Sequence, residues 1–175
     1  MPKIERQLLL PFTLSSLVVI LDQITKAIIV ANWPTQGALI KDVFDNDILL
    51  IYHVRNKAIA FSIGDNLPPQ FRLGLFVIVP IVVLVFLVWY YFSSTDFSRL
   101  QRWAIAGIIG GGVGNIIDRI FRPDGVVDFI SVKFYGIFGL ARWPTFNLAD
   151  SSVVVCSIIL LVTMIVPLKN QRGAK

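Results

Sequence analysis

The chain has one cysteine, Cys156, and one histidine, His53, among its 175 residues. A single thiol excludes an intramolecular disulfide and any paired-cysteine zinc site. A single imidazole excludes multi-histidine metal centres and argues against a histidine-based triad. Charge is scarce too: Asp, Glu, Lys and Arg make up 15% of the chain, against about 25% in soluble domains. That excludes a charge-rich disordered tail and a water-soluble globular domain. Apolar residues fill the space, at 55% of the sequence and a mean hydropathy of +0.74. A formal charge of +5 would suggest nucleic acid in a soluble protein. In a membrane chain the same excess sets topology, and no nucleic-acid partner is expected.

Crossing a bilayer core of ~30 Å takes about 20 helical residues. Four stretches qualify: Leu8 to Val30, Leu73 to Phe92, Trp103 to Ile120 and Asn147 to Val166. The first follows Lys3 and Arg6 as a signal peptide would. It is too long for one, holds Asp22 and Lys26, lacks a small-x-small cleavage site, and reads as a retained helix. Pro80 is a potential kink in the second. The expected fold is an integral membrane, mainly α protein, one membrane domain over residues 1–175 with four transmembrane helices and a small extracytoplasmic β-hairpin or sheet.

An even number of spans puts both termini on one side. The termini and the short Ser93–Arg102 link hold seven Lys and Arg against two acids, whereas the longer opposite segments hold seven against six. The counts of basic residues tie, but their density places the termini in the cytoplasm. Trp89, Tyr90, Tyr91 and Trp103 fit a cytoplasmic aromatic belt, and Trp33 and Trp143 one at the other face. Within residues 32–70, Asp47–Arg55 and Ala58–Ile63 are β-prone and suggest a hairpin turning near Asn56–Lys57. The segment Phe121 to Phe146 mixes Gly, Pro and aromatics and reads as partly interfacial.

Ionisable residues in membrane helices cost roughly 2.5–3.5 kcal/mol each on insertion scales, so a function is the default hypothesis for them. Asp22 and Lys26 lie one turn apart and read as a bracing ion pair. Gly107, Gly111, Gly114, Asn115 and Asp118 form a small and polar stripe against which another helix can pack closely. Packing explains the glycines but not Asn115 or an Asp118–Arg119 pair. Asp128, in Gly125-Val-Val-Asp-Phe-Ile130, reads either as an interfacial loop acid or as part of a site. Asn147 reads as a helix N-cap with Asp150 in the first turn, or as part of the same site. The third span ends and the fourth begins on one side, so Asp128 and Asp150 can meet at one depth. Two facing carboxylates in a water-poor place share a proton and supply an acid and a base, enough to drive water onto a peptide carbonyl.

Together these clusters resemble the bacterial lipoprotein signal peptidase (signal peptidase II, prolipoprotein signal peptidase) family. The matching residues are Asp22-Gln-x-x-Lys26, Asn56 with Ala60-Phe61-Ser62, Gly111-x-x-Gly114-Asn115-x-x-Asp118-Arg119, Val127-Asp128-Phe129 and Phe146-Asn147-x-Ala149-Asp150-Ser151. The resemblance implies an inner-membrane aspartic endopeptidase without a cofactor. It would remove signal peptides from diacylglyceryl-modified prolipoproteins, cutting on the amino side of the lipidated cysteine. It implies Asp128 and Asp150 as the catalytic pair near the extracytoplasmic surface, with Asn56, Asn115, Arg119 and Asn147 binding substrate or orienting the site. Asp22, Lys26, Gly111, Gly114 and Asp118 would be structural support. Prolipoproteins and membrane lipids are the expected partners of a monomer. Ala58 stands where the family commonly has glycine, and the Ile120–Val126 stretch is slightly extended.

Rival readings use the same residues differently. A serine protease would pair Ser151 or Ser152 with Lys26. A small transporter or proton channel would relay protons through the intramembrane carboxylates. A membrane scaffold would use the polar groups only to join helices.

Overall fold

The structure is a computed structural model and describes residues 3–34, 36–57, 68, 71 and 74–166, with side chains from residue 6 onward. A short helix α1 (Lys3–Leu9) breaks before Pro11 and leads into α2 (Phe12–Asn32). Strands β1 (Leu39–Asp42) and β2 (Leu49–Asn56) follow. A π-helical turn, Gly74–Ile78, runs into α3 (Val79–Ser93). Then come α4 (Arg99–Phe121), β3 (Val126–Val132), a short 3-10 turn (Ile137–Gly139) and α5 (Leu148–Ile165). Among the described residues four helical stretches are long and apolar enough to cross a membrane: Arg6–Asn32, Gly74–Ser93, Arg99–Phe121 and Leu148–Ile165.

Helix α4 is the central post, with half of its most apolar window buried against about a tenth for the second and fourth spans. Its glycines explain this. A Cβ on Gly111 would lie 2.4 Å from the Ala149 carbonyl oxygen, and one on Gly114 would lie 2.8 Å from Asp22 Oδ2. Only hydrogen lets α5 and α2 come that close. The outward faces of α2, α3 and α5 carry exposed Leu, Ile, Val and Phe, as lipid-facing surfaces do.

The strands form one antiparallel sheet in the order β1-β2-β3. The expected small β-hairpin or sheet is present as this three-stranded sheet. β2 covers much of the Asp47–Arg55 segment, but its partners are the preceding β1 and the distant β3, with Val54 opposite Asp128 and Asn56 opposite Val126. The Ala58–Ile63 segment, like Ala60-Phe61-Ser62, lies outside the described residues. Asp128 is correspondingly not a loop acid: it sits in the middle of a buried strand. Gly125 has φ +96 and its α-hydrogen faces the Asn56 carbonyl, so only glycine lets α4 turn into β3 against the end of β2.

The sheet, the C-terminal ends of α2 and α4 and the start of α5 lie at one end of the bundle. The opposite end is tied differently. Ser98 and Gln101 form a capping box on α4, and Arg102 donates to the Tyr91 and Ser94 carbonyls. Tyr91 is no belt residue: it is fully buried, its hydroxyl donates to the Leu8 carbonyl at 2.7 Å, and Arg102 lies over its ring. Trp89 and Tyr90 are exposed, as expected of a belt.

Candidate active site

Asn147 organises the site. As N-cap of α5 its Oδ1 accepts the Asp150 amide at 2.9 Å, and its own amide donates to Asp150 Oδ2 at 3.1 Å, a reciprocal capping box. Its Nδ2 points the other way and donates to Asp128 Oδ1 at 2.7 Å. One residue thereby touches both carboxylates. Asn115, on α4, donates from Nδ2 to Asp150 Oδ1 at 2.7 Å and accepts from Asn147 Nδ2 at 3.1 Å. Asn56, at the end of β2, donates to Asp128 Oδ2 at 3.0 Å. All four carboxylate oxygens thus have an amide donor. Asp128 is 2% exposed. Burial first, and the neighbouring Asp150 charge second, push its carboxyl up to about 7, against the pull of Asn56 and Asn147.

Beneath this constellation lies a buried ionic hub. Lys26 Nζ contacts Asp22 Oδ2 at 2.8 Å and Asp118 Oδ2 at 3.0 Å, with all three side chains fully buried. It also donates to Asn115 Oδ1 at 3.0 Å, linking the hub to the site. Asp22 Oδ1 accepts the Ala149 amide at 3.0 Å, so it serves as a second cap for α5. Asp118 accepts the Val127 amide at 3.1 Å, fixing β3 one residue before Asp128. Gln23 and Arg122 close the hub. Gln23 Nε2 donates to Asp118 and to the Gly114 carbonyl, each at 3.0 Å, while Arg122 donates to Gln23 Oε1 at 3.0 Å and pairs with Asp118. Asp22, Asp118, Lys26 and Arg122 leave no net formal charge.

The expected Asp118–Arg119 pair does not form. Adjacent residues on a helix point about 100° apart, and Asp118 faces α2 while Arg119 faces the second span. Arg119 Nη1 donates to the Phe76 carbonyl at 3.1 Å, and its guanidinium lies 5.8 Å from the Phe76 ring centre. It borders a cavity of about 230 Å³ with Asn56, Lys57, Phe76, Arg122 and Pro123. That cavity opens beside the Asp128 contact made by Asn56.

The serine reading finds no support. Ser151 Oγ donates to the Asn147 carbonyl at 2.8 Å and Ser152 Oγ to the Gly107 carbonyl at 2.9 Å. Lys26 is held by Asp22, Asp118 and Asn115 instead. Among the described residues no group of three His, Cys, Asp or Glu side chains is arranged to hold a metal ion.

Some participants are not apparent from sequence. Gln23 sits within a quoted motif, yet its bridging of Asp22 and Asp118 needs α4 in place. Arg122 reads as a surface charge after the third span, though its i,i+4 spacing from Asp118 is a usable signal. His53 is 1% exposed with Nδ1 2.5 Å from the Trp33 carbonyl, and its Nε2 is buried without a partner among the described residues.

Known proteins resemble this chain over most of its length. The family model described as signal peptidase (SPase) II matches residues 14–166. A lipoprotein signal peptidase of Treponema pallidum (strain Nichols) is 43% identical over 93% of this chain and 87% of its own length. One from Treponema denticola is 44% identical over 95% of this chain and 94% of its own. A solved structure titled as a bacterial membrane enzyme superposes with a TM-score of 0.74 at 28% identity, covering 94% of this chain and 93% of that one. The chain belongs to the signal peptidase II family.

Proposed function

We propose that this protein is a membrane aspartic endopeptidase that removes signal peptides from diacylglyceryl-modified prolipoproteins, cutting on the amino side of the lipidated cysteine. Asp128 and Asp150 are its catalytic pair. The observation that carries this reading is Asn147, which bonds both carboxylates at once.

The pair works as a unit holding one proton near neutral pH. One carboxylate takes a proton from water as the water oxygen bonds to the scissile carbonyl carbon. The other, protonated, donates to the carbonyl oxygen. Collapse of the tetrahedral intermediate breaks the C–N bond as the amide nitrogen gains a proton. A signal peptide with a new carboxylate leaves, and the lipidated cysteine keeps a free amine. Asn115, Asn147 and Asn56 hold the carboxylates in register, and Arg119 sits on the cavity wall where a substrate backbone would run. The uncharged stretch of the second span and the exposed apolar helix faces suit a substrate that lives in lipid.

The protein is a multi-pass protein of the inner membrane. Its termini lie in the cytoplasm, where Lys and Arg are densest, and its site lies near the extracytoplasmic surface. It acts as a monomer. A proton channel would string its polar groups along a path, whereas here they gather at one end of the bundle. The test is purified protein with a diacylglyceryl-cysteine peptide, read by mass spectrometry. Cleavage occurs immediately before the lipidated cysteine and is lost in both Asp128→Asn and Asp150→Asn with the fold retained. Full activity in either variant rejects the pair.

A further inference from the structure

We propose that Pro80 is a positioning residue for Arg119. Each helical carbonyl is bonded by the N–H four residues on, and proline has no N–H. Phe76 lies four residues before Pro80, so its carbonyl has no α-helical donor. That carbonyl is the one Arg119 takes, at 3.1 Å. The ladder is rearranged at the same place, with the π-helical turn Gly74–Ile78 joining α3 just before Pro80. Turns of this kind mark single-residue adjustments of a helix. Within a bilayer a freed backbone group is satisfied by local π adjustment, a water or a neighbouring helix, and at Phe76 a neighbouring helix supplies Arg119 as a donor. Phe76 is 4% exposed and also sets its ring beneath the guanidinium. The second span therefore holds out one backbone acceptor and one aromatic face to a cation of the third.

Arginine otherwise has many rotamers, and its planar fork is useful only when one edge is fixed. With Nη1 anchored on Phe76, Arg119 lines the cavity wall together with Asn56. This inference rests on the reading that Arg119 serves the Asp128–Asp150 site. A proline-induced gap in one helix then sets the aim of a side chain on another.

The test is a mutant cycle on the purified full-length enzyme cleaving the lipidated peptide. Pro80→Ala supplies an N–H that competes for the Phe76 carbonyl, and kcat/KM falls roughly tenfold, the scale of a lost charge-assisted hydrogen bond. In an Arg119→Gln background the same change has no further effect, because the side chain it acts through is gone. Replacing Pro80 by lactic acid, which gives a backbone ester without an N–H, keeps cleavage within about twofold of wild type. If Pro80→Ala and Arg119→Gln multiply, if Pro80→Ala cleaves normally while Arg119→Gln is impaired, or if the ester is as slow as alanine, the inference is wrong. An unimpaired Arg119→Gln removes the reading beneath it as well. Asp128→Asn, inert or active, judges the carboxylate pair separately.

Discussion

Replacing Asp128 by asparagine abolishes cleavage in the proposed mechanism, and it also has a stability signature. The ordinary value for Asp is 3.8, and burial beside Asp150 raises Asp128 to about 7 in the folded protein. Between those values the folded state keeps a proton that the unfolded chain has released. Stability therefore falls as pH rises from about 4, and the loss is complete above about 7. The gap corresponds to a penalty on the order of 4 kcal/mol at high pH. Asparagine carries no charge to bury. It does set one N–H2 group where Asn56 and Asn147 both donate, which costs something independent of pH. The signal is accordingly the slope: the difference in thermal unfolding temperature in detergent, variant minus wild type, rises by several degrees between pH 4 and pH 8. A difference that is flat with pH, or that rises toward acid, refutes the assignment of a strained, buried carboxyl to Asp128.

Three further outcomes follow from the geometry. Lys26→Met leaves buried Asp22 without its cation and Asp118 with Arg122 alone, and destabilises the fold by roughly 3–5 kcal/mol; adding Asp22→Asn restores part of this in thermal unfolding, and an unchanged Lys26→Met melt counts against the hub. Gly111→Ala drives a methyl into the Ala149 carbonyl and Val153, costing about 1–3 kcal/mol and slowing cleavage, whereas Gly74→Ala, whose Cβ meets nothing within 4 Å, leaves stability nearly unchanged. Ser151→Ala and Ser152→Ala each remove a hydrogen bond to a backbone carbonyl, worth about 1 kcal/mol, and leave turnover largely intact; complete loss in either would overturn the aspartate assignment.

Much of this is legible in the sequence because membrane segments punish polar residues. Asp22 and Lys26 stand out against Leu, Ile and Val, and their four-residue spacing alone predicts the pair at 2.8 Å. Asn147 three residues before Asp150 is a capping pattern, and the structure contains the capping box. What depends on distant partners is not legible. Residues 118 and 119 look like an ion pair when read along the line, but helical geometry sends them to different neighbours. Strand β2 has the right composition, yet nothing local says that its partner lies at 126–132, beyond two membrane helices. Val126-Val127-Asp128 reads as a loop because an acid interrupts it. Only the amides of Asn56 and Asn147, brought from elsewhere, make that acid tolerable in a buried strand.

The Asp22–Lys26 contact has a consequence for how the chain enters the bilayer. Each residue alone adds roughly 2.5–3.5 kcal/mol to the work of inserting a helix, and Asp118, Asn115 and the Ala149 amide have yet to be made when α2 emerges from the ribosome. Because the two residues lie four apart on one helix, α2 carries its own counter-ion and travels as an electrically neutral segment. Later helices then recruit that ready-made dipole as an anchor. A segment made before α4 and α5 is thus prepared, by local spacing alone, to wait in lipid for them.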